Sequence, residues 1–154
     1  MNLTNLKRLW SLIPSVPACH GCGSCCTIIP HLRNESLMIQ DYIDEHKIYV
    51  PRRHGENNKC PALGIDNKCL IYDVRPTICR LWGTAFFLPF KNKGTRIMMA
   101  CTEHYDVNID YKGTPEYNHL LRLYVTTLNA MKPPLFLGFT YREFIQDKIK
   151  RGKL

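Results

Sequence analysis

The stretch from Cys19 to Cys26 reads CHGCGSCC, which is two overlapping CxxC units followed at once by a fourth cysteine. Two thiolates separated by two residues in a turn can converge on one metal, so this spacing is typical of zinc and iron–sulfur sites. The adjacent pair Cys25 and Cys26 differs, because the side chains of consecutive residues diverge. One of this pair is therefore expected to bind a different metal or to be a buried thiol.

Four further cysteines follow at wider spacing: Cys60, Cys69, Cys79 and Cys101. Residues 61–72 have the pattern of a short hairpin with a turn at 64–67, which would bring Cys60 and Cys69 together. All eight cysteines are candidate metal ligands. The spacing allows two tetrathiolate sites, one multinuclear site with shared ligands, or one four-iron cluster with spare thiols.

Basic residues surround the third of these later cysteines. Arg75 before Pro76 predicts the start of a short helix that carries Cys79 and runs through Trp82. A tetrathiolate site carries negative charge, which Arg75 and Arg80 could offset as cofactor-binding residues. The alternative is that both arginines form ordinary surface ion pairs.

Among the histidines, His20 lies inside the first cysteine loop and is the best candidate for a ligand or a hydrogen-bond donor to the metal site. His104, three residues after Cys101, is the next. The loop does not contain the CxxxCxxC motif of radical SAM enzymes. It also departs from the CxxCxxCxxxCP run of ferredoxins, because its fourth cysteine follows the third directly.

Eight cysteines in 154 residues are too few for a disulfide scaffold of the secreted type. A secretory cleavage site before Cys19 is rejected, since Pro14 and Pro17 interrupt the short apolar stretch. No segment approaches the roughly 20 apolar residues of a transmembrane helix. We therefore expect a cytoplasmic protein whose cysteines bind metal.

The chain carries 21 Lys and Arg against 13 Asp and Glu, a net charge of +8. These charges are scattered, and the densest runs, at 52–54 and 148–153, contain no interleaved aromatic residues. Nucleic-acid binding is therefore possible but not favoured, and a protein partner is expected.

The other elements indicate a small α+β fold in a single domain, 1–154, with a metal-binding core at 19–101 and a helical part at 114–151. Helical periodicity covers the first dozen residues up to Pro14, a second stretch at about 36–47, and a third from Thr114 to about Met131. Residues 84–90 and 95–101 form a predicted β-hairpin, and Thr140 would cap a last helix.

The segments CHGCGSCC, CPAL and CLIYDVRPTICR together resemble the YkgJ-type cysteine-cluster family of zinc- or iron-chelating domains, over about residues 19–101. The string Ile71, Tyr72, Arg75, Pro76, Cys79 and Arg80 makes the resemblance specific. The resemblance implies ligands from the first loop and from Cys60, Cys69 and Cys79. Related domains occur in the flagellin lysine N-methylase group, although this chain lacks that group's extra length.

Three functions follow as hypotheses. The first is an iron–sulfur protein, with zinc as the second choice of metal, that serves as an accessory or redox component of a larger system. The second is an iron–sulfur-dependent protein-modification enzyme related to the methylase group. The third is a basic structural subunit on RNA in which zinc stabilises the fold. Whether the protein is an enzyme stays open.

Overall fold

A computed structural model describes residues 1–15, 22–27, 29–50, 59–84 and 111–131 with their side chains. It also describes the backbone of residues 86–89, 96–99 and 135–136. The predicted last helix from Thr140 lies outside these residues.

The described part of the chain is mostly helical. Its helices are α1 (Leu3–Leu12), α2 (Arg33–Glu45), α3 (Thr77–Leu81) and α4 (Pro115–Ala130), with a single 3₁₀ turn at Tyr72–Val74. The strands are short: β1 (Pro30–His31), β2 (Phe86–Pro89), β3 (Arg96–Met99) and β4 (Leu135–Phe136). They form two antiparallel pairs, β1 with β4 and β2 with β3. An α+β class is therefore loosely compatible with a structure in which helices dominate.

The first helix forms as the sequence predicted. The Asn2 side chain accepts a hydrogen bond from the backbone N–H of Asn5 at 2.8 Å, which satisfies one of the unpaired donors at the helix start. The helix ends at Leu12 with Ile13 as its C-cap, directly before Pro14, whose ring cannot continue it. Its Leu6 and Leu9 are fully buried and pack in the main core.

The longest helix, α4, confirms a second prediction. The hydroxyl of Thr114 accepts a hydrogen bond from the Tyr117 N–H at 3.2 Å, and Pro115 occupies the first turn, where its missing donor costs nothing. The helical periodicity places Tyr117, Leu121, Tyr124, Leu128 and Met131 on one face. The first four are buried, and Met131, at the C-cap, is half-buried. α1 and α4 pack together, and Ile78 and Leu81 of α3 join the same core.

The second helix starts earlier than the sequence indicated, at Arg33 rather than near Ser36. The carboxylate of Glu35 accepts a hydrogen bond from the Leu32 N–H at 2.7 Å. This is one half of a capping box, and it was missed because Leu32 has no side-chain acceptor to complete the usual signature.

A second, smaller hydrophobic cluster holds the cysteine-rich segment. It consists of the buried Ile39 of α2 with Ala62 and Ile71, and Cys60 and Cys69 pack against it. The predicted hairpin is present as a tight loop with a single bridge between Leu63 and Cys69. The loop is closed by hydrogen bonds from Leu70 N to the Ala62 carbonyl at 2.9 Å and from Gly64 N to the Lys68 carbonyl at 2.8 Å.

The predicted hairpin at 84–101 is confirmed by the pairing of β2 with β3, from Phe86 opposite Met99 to Pro89 opposite Arg96. The pairing of β1 with β4 was not predicted, because two-residue strands leave no periodic signal. Among the residues described, no helix is long and apolar enough to cross a membrane.

Candidate metal centre

Three cysteines line one small cavity beside α3. The cavity has a volume of about 20 Å³, close to that of a single water molecule or ion. The hairpin supplies Cys60 and Cys69, and α3 supplies Cys79. The rest of the lining consists of Thr27, Ile29, Ile71, Arg75 and Pro76. The sequence predicted that Cys60 and Cys69 would lie together, and this is confirmed.

The backbone holds the first cysteine loop against the hairpin. The Cys60 N–H donates to the carbonyl of Cys26 at 3.0 Å, and Thr27 pairs with Lys59 in an antiparallel bridge. The Lys59 ammonium donates to the Gly23 carbonyl at 3.0 Å. Two cysteines that are far apart in the sequence, Cys26 and Cys60, are thereby placed side by side.

Gly23 makes this close approach possible. Its φ of +71° lies in the left-handed region, which glycine adopts without steric cost. A Cβ atom at this position would lie 3.2 Å from Leu63 Cδ2 and 3.4 Å from the Asn67 side-chain oxygen. The loop therefore packs onto the hairpin across a residue that has no side chain.

The sulfurs of the vicinal pair, Cys25 and Cys26, affect each other's ionisation. The Cys26 thiol donates a hydrogen bond to the Cys25 sulfur, and this bond lowers the pKa of Cys25 to about 6, with the charges of Arg75 and Lys59 acting in the same direction. The same bond raises the pKa of Cys26, and burial and the negative charges of Cys25, Cys60 and Cys69 raise it further. The positive charges of Arg75 and Lys59 therefore favour the ionised form of Cys25.

Two of the cavity cysteines, Cys60 and Cys79, resist ionisation because they are buried. Burial raises the pKa of Cys60 to about 11, with a further contribution from Cys69. Burial also raises the pKa of Cys79 well above its usual value, and Cys60 and Cys69 add to the rise while Arg75 opposes it. Such thiols ionise when a cation supplies the missing positive charge, and metal binding then releases protons.

The two arginines predicted at the site have different surroundings. Arg75 lines the cavity, lies 3.7 Å above the Tyr72 ring and donates to the Tyr72 carbonyl at 3.1 Å. Arg80 is not among the lining residues. It lies 4.1 Å from the Trp10 ring and donates to the carbonyls of Arg75, at 2.9 Å, and Asp73.

The six described cysteines are reduced thiols, half-buried. Cys22 is one of them, and Cys19, His20 and Cys101 lie outside the described residues, as does His104. In the described part of the chain, no three His, Cys, Asp or Glu side chains are close enough together to hold a metal ion as they stand.

The donor set nevertheless fits a thiophilic metal. Thiolate donors select zinc and iron–sulfur clusters over hard cations such as magnesium and calcium. Cys60, Cys69 and Cys79 face one cavity, the Cys26 backbone is hydrogen-bonded to Cys60, and Arg75 supplies a compensating cation. The residues that would hold the metal are therefore these thiols, together with Cys25 or Cys26 from the first loop.

Two buried polar residues near the site are not evident from the sequence. Glu35 is fully buried and bonded to the start of α3, and His31 is 1% exposed at the end of β1. A lone acidic residue in an amphipathic helix is usually interpreted as a surface residue. The hydrogen-bond donor that Glu35 meets in the interior, Thr77, lies 42 residues further along the chain.

Comparisons with known proteins give one match. No curated protein and no solved structure matches the chain significantly. A family model does match, over residues 18–108, a span that includes all eight cysteines. The pattern in its name, CxxCxxCC, is formed here by Cys19, Cys22, Cys25 and Cys26. The chain therefore belongs to the CxxCxxCC family, which is described as a "putative zinc- or iron-chelating domain".

Proposed function

We propose that this protein holds an iron–sulfur cluster on its cysteine thiolates and serves as an accessory or redox component of a larger cytoplasmic system. The observation that carries the proposal is the gathering of Cys60, Cys69 and Cys79 around one cavity, with the first cysteine loop hydrogen-bonded alongside. Eight cysteines with a vicinal pair exceed what one structural zinc ion requires. When bound, such a cluster would supply one-electron chemistry.

The chain's own residues would tune that centre. Arg75 at the cavity and Lys59 beside the loop place positive charge near the thiols, as their effect on the pKa of Cys25 indicates. Hydrogen bonds and positive charge near cluster sulfurs favour the more negative, reduced form. In this assignment Arg75 stabilises the centre directly, whereas Arg80 acts through the Arg75 and Asp73 carbonyls that it holds.

A single tetrathiolate-bound ion, zinc first, is the second candidate, and the size of the cavity favours it. A volume of about 20 Å³ accommodates one ion, and four thiolates would complete the tetrahedral site that zinc prefers. In that case the metal would stabilise the fold, and the net charge of +8 would be compatible with a role as a basic subunit on RNA.

Metal and sulfide analysis tests the proposal. Protein purified under argon should contain iron and acid-labile sulfide, together with a visible chromophore that dithionite bleaches. Zinc alone at whole-number stoichiometry would reject the cluster in favour of the second candidate. Protein that retains neither metal would refute both.

Single substitutions connect the metal to the site. Cys79→Ser and Cys22→Ser should each give metal-depleted, poorly folded protein, because metal binding contributes folding free energy directly. Ser24→Ala is the control, since Ser24 lies in the same loop and carries no thiol. It should keep the wild-type metal content, and full metal content in the Cys79 variant would remove that residue from the ligand set.

A further inference from the structure

The side chain of Glu35 is completely buried, with 0% of its surface exposed, and its carboxylate is fully hydrogen-bonded. Oε1 accepts from the N–H and from the hydroxyl of Thr77, each at 2.6 Å. Oε2 accepts from Leu32 N at 2.7 Å and from the Tyr124 hydroxyl at 3.2 Å. Each oxygen thus has two donors, and the carboxylate joins α2 to both α3 and α4.

The α3 end of this network needs an external anchor. α3 has five residues and lacks a side-chain cap, because Pro76 stands at its N-cap position. A helix of one turn has almost no stability of its own, so contacts with the rest of the chain set its orientation. Glu35 provides the missing cap by accepting the Thr77 N–H.

The Thr77 hydroxyl extends the anchor to the first helix. It donates to Glu35 and accepts from the Trp10 indole N–H at 2.8 Å. Arg80 lies over the same Trp10 ring at 4.1 Å. Contacts from α1 and α2 therefore fix the rotation of α3 about its own axis at Thr77 and at Arg80.

Cys79 lies between these two anchored residues and lines the cavity with Cys60 and Cys69. Successive residues of a helix are about 100° apart around its axis, so a rotation of α3 that broke the Thr77 contacts would turn Cys79 away from the other thiols. We propose that Glu35 and Thr77 are positioning residues for the metal centre, holding the Cys79 thiolate toward the cavity. This inference rests on the proposed function of the cysteines as metal ligands.

Cobalt binding to the anaerobic, reduced protein tests the inference, because Co²⁺ bound by thiolates has a charge-transfer absorption that grows with each thiolate. Thr77→Val keeps the shape and the backbone N–H but removes the hydroxyl. We expect it to weaken cobalt binding by about 10-fold, the lower end of what outer contacts of metal ligands contribute. The charge-transfer band at saturation should also fall, as one thiolate drops out. Thr77→Ser restores the hydroxyl and should restore both the affinity and the band.

Glu35→Gln provides a second variant that acts on the same anchor. The amide –NH₂ group of glutamine cannot accept a hydrogen bond, so the donor groups of either Thr77 or Leu32 would face another donor. We therefore expect the same loss of cobalt affinity and of the charge-transfer band. Tyr124→Phe is the matched control. It removes a hydrogen bond from the same carboxylate but on the α4 side, so it should lower thermal stability while leaving cobalt binding at the wild-type level.

If Thr77→Val binds cobalt with the wild-type affinity, the inference is overturned, while the proposed function stands. Equal weakening in Thr77→Val and Tyr124→Phe would also overturn it, because the network would then act only through overall stability. A wild-type protein that binds no cobalt would refute the proposed function, and the inference with it.

Discussion

At the scale of single residues, His31 is a histidine kept neutral by its surroundings. It is 1% exposed, and its Nδ1 has no hydrogen-bond partner among the described residues. Burial lowers the pKa of His31 to about 4, only partly opposed by a contact with the Ile29 backbone. The unfolded chain, with a histidine pKa near 6.5, takes up this proton earlier as the pH falls.

The first prediction concerns acid stability. Between pH 6.5 and about 4 the unfolded state binds more protons at His31 than the folded state, so this residue makes the free energy of unfolding fall as the pH is lowered through that window. The full effect is roughly 3 kcal/mol. His31→Phe should remove this slope in urea titrations at a series of pH values.

His119 supplies the control, because it lies on the exposed side of α4. His119→Phe should retain the wild-type slope between pH 6.5 and 4. Other groups titrate in the same range, and the comparison of variant with wild type cancels them. Parallel curves for wild type and His31→Phe would show that the buried ring does not govern acid stability.

At the scale of elements, two glycines with nearly equal φ angles have different structural roles. Gly23, with φ of +71°, lets the first cysteine loop pack on the hairpin. Gly113, with φ of +73°, precedes the cap of α4, and a Cβ there would lie 2.1 Å from the Tyr117 ring. The first glycine serves the candidate metal centre, whereas the second serves the main core.

The second prediction separates these tasks. Gly23→Ala should cost about 1–2 kcal/mol for the left-handed backbone and should weaken metal binding, because the loop must move off Leu63. Gly113→Ala should cost more stability, since Tyr117 must also shift, yet leave metal affinity unchanged. Urea unfolding and cobalt titration measure the two effects. Metal affinities that follow stability in both variants would contradict this separation.

Local sequence signals predicted most of these elements. Thr114 and Pro115 marked the start of α4, the spacing of Leu6 and Leu9 marked α1, and the turn at 64–67 placed Cys60 near Cys69. Capping and periodicity depend on neighbours in the sequence, which is why they are readable there. The anchoring of α3 by Glu35 was not readable, because Thr77 and Tyr124 are uncharged and lie far from Glu35 along the chain, and only Leu32 is a neighbour in the sequence.

At the scale of the whole molecule, the described residues form two hydrophobic clusters of unequal size. The larger joins α1, α3 and α4 and contains ten buried side chains. The smaller has three, Ile39, Ala62 and Ile71, and carries two of the candidate ligands at its edge. So few apolar contacts do little to offset the conformational entropy of the hairpin.

The third prediction follows from this difference. Removal of metal with a chelator under reducing conditions should release the segment 59–71, because bound metal supplies the stability that its small cluster lacks. Hydrogen exchange should show faster exchange of the Cys60 and Leu70 amides, whose bonds close this segment. Amides of α1 and α4 should keep their protection, and uniform loss throughout the chain would contradict a local effect.

The bond between the Cys60 amide and the Cys26 carbonyl spans the whole of α2, and the third cavity thiol comes later still, on α3. During synthesis the first cysteine loop leaves the ribosome long before its partners do. On the proposed assignment, the cysteines of the nascent chain lack their full ligand set until α3 has emerged. The metal can therefore be fully coordinated only late in synthesis or after it. Oxidants and competing ions would do most harm in that interval.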